Sequence, residues 1–471
     1  MPCPRASTPS GFDPAPGNSW VHGAFHDRVH YVGPTGWQGS GSEMGVSVML
    51  RRHFGPVCAA ASVLVLCASV LSPGVASAGK PDIPAPPGLP SFYSVPQPLP
   101  KGPVGTLIKS EVVPDANLVG ATMHIVMYKS KGPKKAVPVT GMVAIPNGTP
   151  PAGGWPVVTW GHGTNGMADV CAPSLQGASQ VPGINNLIAA GYAVTASDYQ
   201  GEGTPGLMPY VVGASAAEDT VMIVKAAHSL PGVSLSPNYV VWGHSEGGQT
   251  AMFSIYDHKY APKLNLRGVV AGAPPSQFSL LYDFLVTSPF DYYLMMVAGS
   301  YNSYYGSTKA PLSAIMTPQA VSLIPQLDNG CSSYVQGVVN AAVATTPHML
   351  FSDLIPKNPF TVASWAKLFS ANDPAAFTKK TKTPLLIIQG GNDEQIPVIS
   401  TQILQGQLCK IGQPVERWVY SGQSHAGVIA PSFDDMVHWI GDRFASTSTV
   451  DPYVPTADSS NTITIDQKTC G

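Results

Sequence analysis

Three side chains have the types and spacing of a nucleophilic relay: Ser245, Asp393 and His425. Ser245 sits in Gly243-His244-Ser245-Glu246-Gly247, a G-x-S-x-G pentad between an apolar run and a helix-like stretch. The pentad alone is a weak signal, so its surroundings decide. Each of the three residues follows a run that reads as a buried strand: "YVVWGH" before Ser245, "PLLIIQGGN" before Asp393 and "RWVYSGQS" before His425. In open α/β sheets reactive groups gather beyond the carboxyl ends of the strands. A serine hydroxyl is a poor nucleophile at neutral pH. An imidazole that takes and returns its proton, and a carboxylate that holds that imidazole's tautomer, make it a good one.

Their order along the chain, Ser, Asp, His, is that of α/β-hydrolases. Rivals exist at each position. His438 also follows Asp393, but it lies inside the helical pattern "DDMVHWIGDRF". Glu394 neighbours Asp393, which is the residue directly after the Gly-rich turn. Asp198 ends an earlier strand and precedes the nucleophile, so a structural role is expected for it, as for His244 in the turn itself. Acyl transfer also needs donors for a developing oxyanion. The N–H of Glu246 is the first candidate. The second lies in the loop Gly161-His162-Gly163-Thr164, with Thr164 N–H favoured and Gly163 as the alternative. No H-E-x-x-H, paired C-x-x-C or helix-opening G-x-G-x-x-G is present, so neither a metal nor a cofactor is expected.

Elements that could position these residues run through most of the chain. Strand-like runs "GTLIKSEVV", "TMHIVMYKS" and "VPVTGMVAIP" come first, the last two joined by the turn "KGPKK". Buried runs then alternate with helical patterns such as "ASAAEDTVMIVKAAHSL", which predicts a mostly parallel sheet with helices on both faces. The alternation breaks over 274–382, a stretch rich in Tyr, Phe, Met and Leu and far longer than an ordinary loop. It reads as a helical cap or lid inserted between core segments 79–273 and 383–445. Within it Tyr292, Tyr293, Leu294, Met295 and Met296 are expected either to form the cap's own core or to line an acyl channel. Residues 446–471 form a C-terminal tail, and the Pro-rich 79–104 is expected to wrap the surface in extended form.

The bulk numbers narrow the partners. Charged residues make up 11% and the formal net charge is −2, so nucleic acid is not expected as a partner. Met49-Leu50-Arg51-Arg52-His53, the apolar Val57–Leu71 and Val75-Ala76-Ser77-Ala78 have the three parts of a secretory signal peptide, residues 49–78, cleaved after Ala78. The apolar run is too short for a membrane span, so none is expected after processing. Residues 1–48 read as a start assigned too early, with Met44 or Met49 the true start, or as a disordered leader. Export would leave Cys171, Cys331, Cys409 and Cys470, an even set that reads as disulfides with three possible pairings.

Taken together, "GHGTNGMADVCAPS", "GHSEGG", "GGNDEQIP" and "GQSHAG" resemble the secretory lipases, capped α/β-hydrolases of fungi and actinobacteria. The resemblance covers residues 85–445 and rests chiefly on the "CAPS" segment. It implies Ser245, Asp393 and His425 as triad, an acylglycerol or other carboxylic ester as substrate, and the pairs Cys171–Cys331 and Cys409–Cys470. Where some members carry Asp in the oxyanion loop this chain has "GHGT", and the tail beyond Ala445 departs from the family. The expectation is therefore a secreted serine ester hydrolase, a lipase acting on a lipid or ester substrate, with a lipid–water interface as its working surface. The alternatives are a secreted peptidase on the same fold and a catalytically silent binding protein. Retention of all three triad residues argues against the silent scaffold.

Overall fold

The computed structural model describes residues 80–445, 455 and 463–470. Residues 1–48 and 49–78, expected as an early start or leader and as a signal peptide, and most of 446–471 lie outside the described residues.

Ten strands form one sheet: β1 Leu107–Val113, β2 Ala121–Lys131, β3 Ala136–Pro146, β4 Trp155–Gly161, β5 Ala193–Ser197, β6 Leu235–His244, β7 Asn265–Gly272, β8 Leu385–Gly390, β9 Val415–Tyr420 and β10 Ile463–Cys470. Their spatial order is β1-β2-β3-β5-β4-β6-β7-β8-β9-β10. The six strands β5-β4-β6-β7-β8-β9 run parallel, and antiparallel pairs close both edges. The crossover that puts β5 outside β4, with β6 on the other side, opens a crevice at the carboxyl ends of β4 and β6, where ligands bind in such sheets.

Continuous apolar runs make these strands because both faces are covered. Alternate residues of β6 go to opposite sides. Tyr239 and Val241 pack with Met222, Ile223, Met252 and Leu404 on one face. Val240 and Trp242 pack with Leu187, Trp439 and Ile440 on the other. The helices Gly213–Ala227, Glu246–Asp257 and Val398–Lys410 thus cover one face, and Ile184–Ala189 with Ile429–Ala445 the second.

Between β7 and β8 there are only helices, among them Phe278–Leu285, Tyr292–Tyr305, Ser332–Ala344 and Ala363–Asn372. Their apolar faces form a cluster that also takes in Met208, Tyr210 and Val212 from the segment after β5. The inserted helices therefore share a core with the sheet domain's own loop. Ser300 Oγ and Tyr301 OH strengthen that seam by donating to the carbonyls of Tyr210 (3.0 Å) and Val211 (3.3 Å).

Two features differ from the sequence reading. The Pro-rich segment is not merely a surface wrap: Phe92, Tyr93 and Val95 are buried against Ile125 and Met127 of β2. The tail also supplies a strand, β10, antiparallel to β9. A polar β-branched run such as "ITIDQKT" carries little apolar signal, and it is the unpaired edge of β9 that gives it a place. The structure pairs Cys171 with Cys331 and Cys409 with Cys470, with Cα–Cα distances of 5.5 and 5.0 Å.

The second bridge spans 61 residues and ties β10 to the helix before β9. Closing a loop of that length stabilises by about 4 kcal/mol through the unfolded chain. The double substitution Cys409→Ser with Cys470→Ser should therefore lower Tm by several degrees, read by calorimetry. An unchanged Tm would mean that the bridge contributes nothing to the fold.

Candidate active site

Ser245 joins β6 to the helix Glu246–Asp257 with a φ of 61°, in the left-handed region that non-glycine residues avoid. Its N–H donates to Gly272 O of β7 at 2.9 Å, and its carbonyl accepts from Gly248 and Gln249 N–H at 2.8 and 3.2 Å. Both sides of the strained residue are thus pinned. The pentad's glycines are required by contact. A Cβ on Gly243 would strike the Gly247 carbonyl, and one on Gly247 would strike Gly161 O. Only with both absent can the helix start against β4 and β6.

Asp393 lies in the loop after β8, 8% exposed. Its Oδ1 accepts from the N–H groups of Gln395 (2.9 Å) and Ile396 (2.8 Å). Gln389 Nε2 donates to Oδ2 at 2.8 Å. His425, in the loop after β9, is 4% exposed, with Nδ1 2.8 Å from Asp393 Oδ2 and 3.0 Å from Oδ1. A carboxylate there requires the proton on Nδ1, which leaves the Nε2 lone pair free to act as a base. Nε2 is buried and makes no hydrogen bond among the described residues. The rings of His244 and His425 lie 4.6 Å apart. Burial, with His425 beside it, brings His244 down to about 3, so it stays neutral.

The loop after β4 runs against Ser245: a Cβ on Gly163 would lie 3.4 Å from Ser245 Cβ. Thr164 Oγ1 is 2.8 Å from Tyr210 OH. The far end of the loop is tied to the inserted helices, since Ser332 N–H donates to Asn165 O at 2.8 Å and Gly166 forms a β-bridge with Cys331. The Glu246 N–H belongs to the first turn of its helix and so has no acceptor within it.

Ser245, Glu246 and Thr164 open into one cavity, with about 60 Å³ accessible to the centre of a water molecule. The cavity is a slot beside Ser245. Its walls are largely apolar, including Leu281, Leu285, Leu294, Val297 and Phe369. Met295 and Met296, candidates for such a lining, are fully buried in the helical core instead. The cavity takes its residues from the opposite face of the same helix turn.

The rivals fall elsewhere. His438 is half exposed and faces Asp442 one helical turn on, at 3.6 Å. Asp198 accepts from Ser174 N–H and is structural. Glu394 does take part, through its Oε2, which accepts the His425 N–H at 3.0 Å. Sequence reasoning missed Gln389, although a glutamine in the otherwise apolar "LLIIQG" was a visible signal. The buried pair His162–Glu202 gave no such signal. Among the described residues no cluster of His, Cys, Asp or Glu could hold a metal, and no helix is long and apolar enough to cross a membrane.

Comparison with known proteins now bears on this geometry. The family model described as Secretory lipase matches residues 157–452. The chain belongs to the secretory lipase family. It is 24% identical over 302 residues to the secreted triacylglycerol lipase LIP4 of Malassezia globosa, covering 59% of this chain and 63% of that protein. The match therefore spans less than two thirds of that relative's length. To LIP2 of the same organism it is 24% identical over 375 residues, 75% of this chain and 80% of that one. Among solved structures, Candida antarctica lipase A in its closed state aligns with a TM-score of 0.64 at 18% identity, covering 79% and 90% of the two chains. The rice cell wall degrading esterase LipA of Xanthomonas oryzae aligns with a TM-score of 0.58 at 17% identity, covering 73% and 96%. These structural likenesses make the fold of this secretory lipase family member an α/β-hydrolase.

Glu246 yields a test of the site's electrostatics. Burial pushes its carboxyl up from 4.5 to about 8, opposed by hydrogen bonds from Val211 N–H and Thr164. The Tyr199, Tyr210 and Tyr293 hydroxyls and the Glu202 carboxyl are the other titratable groups around it. An acid whose pKa rises on folding stabilises fully below its unfolded value and loses that contribution as pH climbs to the folded one. Glu246→Gln keeps the acceptor for Val211 and cannot ionise. Its Tm relative to wild type should rise steadily between pH 5 and pH 8, and a constant difference across that range would refute the buried neutral acid.

Proposed function

We propose that the protein is a secreted serine ester hydrolase, a lipase cleaving acylglycerols or other carboxylic esters at a lipid–water interface. The observation that carries this reading is the apolar cavity with Ser245 in its wall. An acyl chain in that slot would lie beside a strained, half-buried hydroxyl. Family membership and relatives whose names describe secreted triacylglycerol lipases support it, as do two disulfides and the signal-like segment 49–78.

Ser245 Oγ would attack the ester carbonyl while His425 Nε2 accepts its proton. Asp393 would stabilise the imidazolium, itself held by Gln389 and the Gln395 and Ile396 N–H groups. The N–H groups of Glu246 and Thr164 would receive the oxyanion. Collapse passes the proton to the leaving alcohol, and water then repeats the sequence to release the acid and restore Ser245.

Ser245→Ala or His425→Ala should each lower kcat on p-nitrophenyl butyrate by roughly 10⁴–10⁶-fold, whereas His438→Ala should leave most activity. Full activity in His425→Ala would overturn the assignment. Tributyrin should be cleaved in preference to aminoacyl anilides; the reverse would favour the peptidase.

Each acyl CH₂ seated in the slot adds about 0.8 kcal/mol, or roughly fourfold in kcat/KM. Val297→Phe narrows the slot and should cut kcat/KM for octanoate esters at least ~10-fold more than for acetate esters, the loss of about two buried CH₂ groups. Equal losses on both esters would reduce the reading to a general esterase.

A further inference from the structure

We propose that His162, backed by the Glu202 carboxyl, is a positioning residue that fixes the Gly163–Thr164 peptide plane and so aims the Thr164 N–H at the substrate's carbonyl oxygen. The inference rests on Ser245 being the nucleophile of an acyl transfer. His162 is 3% exposed and does not touch the slot. Its Nδ1 lies 2.8 Å from Gly163 O. A carbonyl can only accept, so Nδ1 carries the hydrogen. In a trans peptide unit the C=O of one residue and the N–H of the next point in opposite directions. Holding Gly163 O on the protein side therefore turns the Thr164 N–H the other way. Gly163 is itself confined, because a Cβ there would lie 3.2 Å from His244 O and 3.4 Å from Ser245 Cβ.

The imidazole is in turn held in place. Its ring stacks on Tyr199 at 4.1 Å, and Tyr199 OH donates to the His162 carbonyl at 3.2 Å. Glu202 Oε2 lies 3.6 Å from Nε2, in a pair with almost no exposure. Neither Glu202 oxygen has a hydrogen-bond partner among the described residues. With the hydrogen on Nδ1, a neutral ring presents the Nε2 lone pair to Glu202, and a protonated carboxyl faces that lone pair favourably. The surroundings favour this state. Burial, and then the Asp198, Glu246 and Asp169 carboxyls, push Glu202 well above the usual carboxylate range. Burial brings His162 down to about 4, against the Gly163 and Asp198 carbonyls, which favour the charged ring. A neutral pair costs far less to bury than two ions and leaves no net charge behind the oxyanion site.

Two substitutions of His162 separate positioning from packing. His162→Phe keeps a ring on Tyr199 and loses the donor, whereas His162→Asn places an amide nitrogen where Nδ1 stands. On p-nitrophenyl butyrate, kcat in the Phe variant should fall by ~10²-fold, the scale of one lost oxyanion donor, with KM within about threefold of wild type. The Asn variant should recover at least ~10-fold of that loss, although it lacks the ring and packs less well. Wild-type kcat in His162→Phe, or equal losses in both variants, would overturn the proposal. Should the Phe variant not fold, Glu202 decides. Glu202→Gln donates to Nε2 as the protonated acid would and should retain at least ~10-fold more kcat than Glu202→Leu, and equal values would overturn the proposal. Activity surviving in Ser245→Ala would instead sink the hydrolase reading itself.

Discussion

The site depends on two carbon atoms that are missing. Gly161, Gly243 and Gly247 lie so close that a Cβ on Gly243 or Gly247 would collide with a neighbouring carbonyl. This lets the helix Glu246–Asp257 begin directly against β4 and β6. The chain must then reverse within one residue, and Ser245 takes the left-handed conformation that such a reversal needs. The cost of that backbone, of order 1–3 kcal/mol, is borne by the hydrogen bonds on either side of it and by the packed helix. A looser helix would relax the turn and swing the hydroxyl away from the cavity.

The same close approach shapes the electrostatics. Glu246 at the helix start has no room to reach solvent, so its carboxyl is held inside with Glu202 and Asp198 nearby. Burial raises all three, and their mutual repulsion adds to the effect for Glu202. Behind Ser245 the surroundings thus favour the neutral form of Glu246 and Glu202, whereas Asp198, raised only to about 6, accepts hydrogen bonds from the Ser174 N–H and hydroxyl. The Asp393 carboxyl is treated differently: two backbone N–H groups and the Gln389 amide surround it with donors. Carboxyls thus serve opposite ends, Asp393 among donors suited to an anion, Glu246 and Glu202 in surroundings suited to an uncharged wall.

The inserted helices complete the cavity without supplying a strand. They leave the sheet after β7 and return at β8, at the edge where Ser245 emerges. Their attachment runs through Cys331 to the loop carrying Thr164, and through Tyr293 OH to Gln395 Oε1 at 3.1 Å. Both contacts end beside residues that hold the site. The inserted helices are thus tied directly to the Thr164 loop and to the turn holding Asp393.

Much of this was legible in local pattern. Apolar runs ending in Gly-rich turns marked β4 to β9, and the residues just beyond them included Ser245, Asp393 and His425. Strand and turn are short-range properties, dictated by side-chain alternation and by the few residues that tolerate a reversal. What local pattern leaves open concerns partners far apart in the chain. That Met295 and Met296 turn inward while Leu294 and Val297 face the slot depends on how one helix is rotated against its neighbours. That polar "ITIDQKT" becomes a strand depends on a vacant edge at β9. That Glu202 lies 3.6 Å from His162, forty positions earlier, depends on β4 and β5 being neighbours in the sheet. Sequence alone determined which residues could react, because that is written in side-chain type and local backbone. Tertiary structure decided which buried groups stand behind them, because burial and proximity arise only when the sheet closes its order.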